Sequence, residues 1–101
     1  MLMELTVIPL ARGPSIGADI AELVGIIDES GMPYKVTAFG TLIEGTWDRL
    51  MMLGKKCHSA IRKKTDRVVI LIRLEDYADR TDLLTTTVAH VETQLGRSVK
   101  Q

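Results

Sequence analysis

Gly40-Thr41-Leu42-Ile43-Glu44-Gly45 is a short apolar run bounded by glycines that carries two polar side chains, Thr41 and Glu44. Side chains of a strand alternate between its faces, so these two, three positions apart, face opposite sides unless the strand is bulged. Tyr34 to Ala38 just before it is a second strand-like run. Phe39-Gly40 between them suits the turn of an antiparallel hairpin. A carboxylate inside such a strand is salt-bridged, turned to water at an edge, or placed to meet a ligand.

Toward the N-terminus, Met3 to Ile8 alternates, with Met3, Leu5 and Val7 on one face and Glu4, Thr6 and Ile8 on the other. This predicts a strand. Leu10 to Pro14 reads as a loop, and Ser15 stands where an N-cap belongs. Ile16, Ile20, Leu23, Val24 and Ile27 form the apolar stripe of a first helix, which Gly31 ends and Pro33 prevents from continuing.

Toward the C-terminus, Gly45-Thr46 leads into a second helix with Thr46 or Asp48 as its cap and Leu50, Cys57 and Ile61 as its core stripe. Arg62-Lys63-Lys64 reads as a solvated helix end, with its cations at the negative end of the dipole and no aromatic residues to make it a nucleic-acid patch. Val68 to Leu74 is apolar on both faces, the pattern of a central strand covered on two sides. After a charged loop, Asp82 stands to cap a last helix in which Leu84, Val88, Val91 and Leu95 share one side, ending at Gly96.

The resulting order, β-α-β-β-α-β-α, predicts an α+β fold: a ferredoxin-like βαββαβ sandwich with a four-stranded antiparallel sheet, both main helices on one face, and an extra C-terminal helix. One domain over 1–96 and a flexible tail over 97–101 are expected. The other sheet face would carry Thr6, Ile8, some of Thr37, Phe39, Leu42 and Glu44, and Val69, Leu71 and Arg73, too apolar to stay wet. The last helix is expected to cover part of it and a second subunit the rest.

The 101 residues carry 13 basic and 13 acidic side chains, so the formal net charge is zero and no overall field draws the chain to nucleic acid or to an anionic membrane. With 46% hydrophobic and 26% charged residues it reads as globular. A single cysteine rules out an internal disulfide and makes a cytoplasmic setting the expectation. The N-terminus reads as a strand rather than a signal peptide, and no apolar run approaches the ~20 residues of a membrane span.

Catalytic patterns are sparse, and no metal or cofactor is expected. His58 and His90 lie on separate helices without ligand spacing. Cys57 and His58 are adjacent on a helix and point about 100° apart, so Cys57 reads as a buried thiol. Arg12 and the amides of the first helix could hold an anion, the layout of an acylphosphatase, but the preferred reading is a Gly-Pro loop that turns a strand into a helix. The chain has no Asn to position the water that such an enzyme requires, and the first loop has no Cys-x-x-Cys for a heavy metal. Glu44 and Thr41 remain. In the structural reading, Glu44 pairs with Arg73 or Arg67 or lies at a sheet edge. In the functional reading, its carboxylate attracts a cationic or amino-bearing heterocycle, with Phe39, Trp47 or Tyr77 offering a π face.

Several pieces resemble the thiamine-binding-protein family of small ferredoxin-like proteins, a group related to the YkoF-type proteins. They are Ile8-Pro9-Leu10, Pro14-Ser15, Ser30-Gly31 with Tyr34, Gly40-Thr41-Leu42-Ile43-Glu44-Gly45, Cys57-His58, Arg67-Val68, and Val88 with Val91. The resemblance implies a homodimer or homotetramer whose sheets pack face to face. It also implies thiamine or its hydroxymethylpyrimidine part as a small-molecule ligand held near subunit contacts, without catalysis. Thr41 and Glu44 are then the polar anchors, Ser15 a third, and Phe39 the stacking surface. Tyr77 stands where the family carries an Arg, Thr87 where it carries a Lys, and no Gly falls near Lys64-Thr65. The alternative is a structural or regulatory oligomer with no small-molecule ligand.

Overall fold

Alternation of buried and half-buried residues along Leu2–Pro9 makes this segment β1, whose Met3, Leu5 and Val7 point into the core. The computed structural model describes all residues 1–101. A 3-10 turn at Gly13–Ser15 leads into α1 (Ile16–Glu29), followed by β2 (Tyr34–Thr37), β3 (Gly40–Glu44), α2 (Trp47–Arg62), β4 (Val68–Glu75) and α3 (Leu83–Leu95). The strands form one antiparallel sheet in the order β2-β3-β1-β4. This is the ferredoxin-like α+β arrangement, with α1 and α2 together on one face.

The core lies between that face and the two helices, where Met3, Leu5, Ile43, Leu23, Ile27, Leu50, Leu53, Cys57 and Ile61 exclude water. Helix α2 reads as expected: Leu50, Cys57 and Ile61 are buried, and the Thr46 hydroxyl accepts a hydrogen bond from the Arg49 amide at 3.3 Å. Burial raises the Cys57 thiol to about 11, so it is protonated and unreactive at neutral pH.

Three expectations need correction. The buried stripe of α1 is Asp19, Leu23 and Ile27, four residues apart, whereas Ile16 and Ile20 are exposed. Strand β4 lies at a sheet edge rather than in the centre. Its outward Val69 and Leu71 are exposed, so apolar residues on both faces mark an uncovered face and not a central position. Finally, Ser15 and Asp82 occupy the cap positions of α1 and α3, but neither side chain makes a capping bond.

Helix α3 ends as expected, with Gly96 at φ 82° and its amide donating to the Glu92 carbonyl at 2.8 Å. Leu83 is its one buried residue, and Val91 and Leu95 are half-exposed. Residues 97–101 are tied to the body by two hydrogen bonds: the Val99 amide donates to Glu92 Oε2 at 2.8 Å, and Lys35 Nζ donates to Gln101 Oε1. The molecule is elongated, 47 × 29 × 21 Å. No helix is long and apolar enough to cross a membrane.

Candidate functional site

Strand β1 outruns β3. The last pair between them is Leu5↔Thr41, while Thr6 to Pro9 pair with β4 alone. The hairpin turn therefore sits beside the free edge of β1. Thr6 Oγ1 donates to the Phe39 carbonyl at 2.7 Å; Thr37 Oγ1 accepts from the Phe39 amide at 3.2 Å and donates to the Gly40 carbonyl at 2.8 Å. Gly40, at φ 152°, permits this approach, since a Cβ there would lie 2.6 Å from Thr6 Oγ1 and 2.7 Å from the Leu5 carbonyl oxygen.

Between the hairpin and α1 this leaves a cleft of about 200 Å³. Ile20 and Val24 of α1 line one side, Leu5 and Val7 of β1 the floor, and Val36 to Thr41 the other side. The apolar breadth that made Ile20 and Val24 read as core thus forms a cleft wall. No charged side chain lines the cleft. Thr41 is buried, its hydroxyl bonds to no group of the chain, and it is not sealed from the cleft. Phe39 stands at the mouth, 84% exposed.

β3 is regular: Gly40 to Ile43 pair with Thr37 to Tyr34, and Thr41 to Glu44 with Leu5 to Leu2. Thr41 accordingly faces the helices and Glu44 the opposite side, so one ligand in one chain cannot touch both. Glu44 is buried, and its carboxylate takes neither Arg73 nor Arg67 as partner. Oε2 accepts from the Leu83 amide at 2.6 Å and Oε1 from the Leu84 amide at 2.9 Å. Glu44 supplies from the sheet the cap that α3 lacks in its own sequence, with negative charge at the positive helix end. Arg73 pairs with Glu4 at 3.2 Å instead.

A second buried carboxylate, Asp19, was missed from sequence. It is 1% exposed and receives the Arg12 guanidinium, Nε to Oδ2 at 2.8 Å and Nη2 to Oδ1 at 3.2 Å, with Lys64 Nζ 3.5 Å from Oδ1. Its place four residues before Leu23 and eight before Ile27 was the available signal. Arg12 is thereby committed to Asp19 and does not form the anion site that its loop suggested. The Arg12 hydrogen bond, with the charges of Arg12 and Lys64, outweighs desolvation and holds the Asp19 carboxyl below its ordinary 3.8. A depressed folded-state value stabilises above the unfolded pKa, and that contribution is lost as pH falls through the folded value. Urea midpoints should therefore drop below about pH 3.8, and less so in Asp19→Asn. Equal acid sensitivity in both proteins would remove Asp19 from this role.

Residues 3–92 match the family model described as thiamine-binding protein. The chain belongs to the thiamine-binding protein family. Among curated relatives, UPF0045 protein sll0230 of Synechocystis is 32% identical over 97% of this chain and 82% of its own length. UPF0045 protein Mb1933 of Mycobacterium bovis is also 32% identical, over 96% of each chain. Two crystal structures share the fold. Protein MJ1052 of Methanocaldococcus jannaschii superposes with a TM-score of 0.76 over 94% of each chain at 23% identity. Protein TM0486 of Thermotoga maritima, described as a candidate thiamine biosynthesis/salvage protein, gives a TM-score of 0.74 at 18% identity, over 85% of this chain and 95% of its own.

Of the four residues expected to form the site in this family member, the cleft brings together Thr41 and Phe39. Glu44 pairs across the sheet with Leu2, whereas Ser15 follows the opposite end of β1, and Ser15 is exposed without a side-chain bond. The two candidate aromatics beyond Phe39 stand away from the cleft. Trp47 opens α2, and Tyr77 lies in the loop before α3 with Arg80 over its ring at 5.5 Å. Thr6 and Thr37, which hold the turn, were legible only as strand residues.

Proposed function

We propose that this protein binds thiamine, or its hydroxymethylpyrimidine half, without transforming it, and does so as a homo-oligomer. The observation that carries the reading is the open Thr41 hydroxyl in an uncharged apolar cleft. A hydroxyl both donates and accepts, and a 4-aminopyrimidine presents an amino donor beside a ring-nitrogen acceptor. The unpaired edge of β1 at Val7 borders the same cleft and offers one main-chain donor and one acceptor. Phe39 supplies the stacking face. At about 200 Å³ the cleft is smaller than sites for drug-sized molecules, which suits one ring and leaves the thiazolium of thiamine outside. Its lining contains no His, Cys, Lys or carboxylate to act as acid, base or nucleophile. Membership of the thiamine-binding protein family supports the same ligand class.

The homo-oligomer is supported by the uncovered sheet face. Phe39, Leu71 and Val69 are exposed there beside Ile8, an apolar patch of the kind that marks an interaction surface. Glu44, on the same face of the sheet, holds α3 to it.

Isothermal titration with thiamine and with hydroxymethylpyrimidine tests the ligand. Heat is expected with both, and Thr41→Val should weaken binding by about 0.5–1.5 kcal/mol, the net worth of a neutral hydrogen bond. No heat with either compound, at protein well above micromolar, would leave assembly alone as the role of the fold.

A further inference from the structure

We infer that occupation of the cleft and pairing of two chains across their open sheet faces are thermodynamically coupled through the Phe39 ring. The inference rests on the ligand-binding reading above and concerns how that site is regulated. Its starting point is the missing strand beside Thr6 to Pro9. Because the sheet is interrupted there, the cleft on the helix side and a broader depression of about 740 Å³ on the open face are both walled by the end of the hairpin. Thr6 and Phe39 line both.

The Phe39 backbone is fixed by Thr6 and Thr37, through its carbonyl and its amide, and by the close approach of Gly40 to β1. Its ring, in contrast, is 84% exposed. A partner on the open face would immobilise the ring from one side, and a heterocycle in the cleft would stack on it from the other. Whichever binds first removes rotamer entropy that the second then does not lose, which is positive coupling without a change of fold.

The occupant of the open face is a second copy of this chain. The apolar patch there adjoins the Glu4–Arg73 ion pair, whose Arg73 is well exposed, and Glu75 lies beside it on the same face, whereas Lys35 is half-buried beside α3 and bonded to Gln101. A face that carries both signs can meet its own image about a two-fold axis, Arg73 of one copy toward Glu75 of the other. An acidic, basic or nucleic-acid partner has no such match.

Linkage is reciprocal, so the factor by which assembly tightens ligand binding equals the factor by which ligand tightens assembly. The test uses the full chain and hydroxymethylpyrimidine. Sedimentation should show association at lower protein concentration when the compound is present. Leu71→Arg, on the open face and outside the cleft, should sediment as a smaller species and bind hydroxymethylpyrimidine about five-fold more weakly than the wild type. Phe39→Ala combined with Leu71→Arg should bind no more weakly than Phe39→Ala alone. A dissociated Leu71→Arg with wild-type affinity, or wild-type association that ignores the compound, would overturn the coupling while leaving the ligand reading intact. Both Leu71→Arg and Val69→Arg remaining fully associated would show that the interface lies elsewhere and would also overturn it. Absence of heat with the wild type would overturn the ligand reading itself, and the coupling with it.

Discussion

Replacement of Glu44 by alanine is expected to lower stability by about 2–4 kcal/mol and to release α3 first. The carboxylate accepts two main-chain bonds, from Leu83 and Leu84, at the end of a helix whose first amides have no partner of their own. Leu83 is buried, so water does not readily replace the lost acceptor at its amide. A bond to a charged group is worth about 1.5–3 kcal/mol, and a buried donor left unpaired costs about 1–3 kcal/mol. These terms overlap, which is why their full sum is not expected. Glu44→Gln should recover part of the loss, since one oxygen still accepts while its NH2 group opposes an amide donor. Urea denaturation followed by circular dichroism gives the magnitude, and hydrogen exchange gives the order: α3 amides should exchange before those of β1. An unchanged midpoint for Glu44→Ala would return this residue to the list of direct ligand contacts.

Gly40→Ala should have a comparable effect, about 3 kcal/mol, through a different cause. The position has φ 152°, which residues with a Cβ rarely adopt, and the new methyl would meet a main-chain oxygen of Leu5 at 2.7 Å as well as the Thr6 hydroxyl. The hydroxyl can turn away, but the carbonyl belongs to the β1–β3 ladder and cannot. Strain of this kind costs about 1–3 kcal/mol, and moving the hairpin off β1 adds the loss of the bond from Thr6 to Phe39. The variant should therefore lose both stability and ligand binding. Gly17→Ala, in the first turn of α1 with nothing within 4 Å of its added methyl, is the control expected to do neither. Equal midpoints for the two alanine variants would show that the hairpin tolerates displacement.

The fold was legible because its signals are local. Alternation along Met3 to Ile8, the Gly31-Pro33 stop and the Phe39-Gly40 turn each specify an element within a few residues, and their order leaves few topologies. What was not legible depends on elements distant in sequence. Asp82 is an acceptable cap in isolation, and only the fold brings Glu44 to the same amides from 39 and 40 residues away. Arg12 resembles a free anion ligand until the helix turns Asp19 inward. The cleft arises because β3 ends one pair short of Thr6, a matter of register that no single segment encodes. Thr41 and Phe39 could thus be selected by residue type, but that they share a cavity while Glu44 and Ser15 do not is a product of topology.

The clamp on Asp19 also has a kinetic meaning. Its main partner, Arg12, is seven residues away in sequence, whereas the Lys64 carbonyl that accepts from the same guanidinium is 52 residues from Arg12. Contacts of short separation close early and at small entropic cost; those of long separation close late. The first βα unit can therefore neutralise its carboxylate before the second unit arrives, and the end of α2 docks onto a pair already formed. A carboxylate neutralised in that order is not buried alone, and a loss of the Lys64 contact should then appear in the unfolding rate rather than in the folding rate.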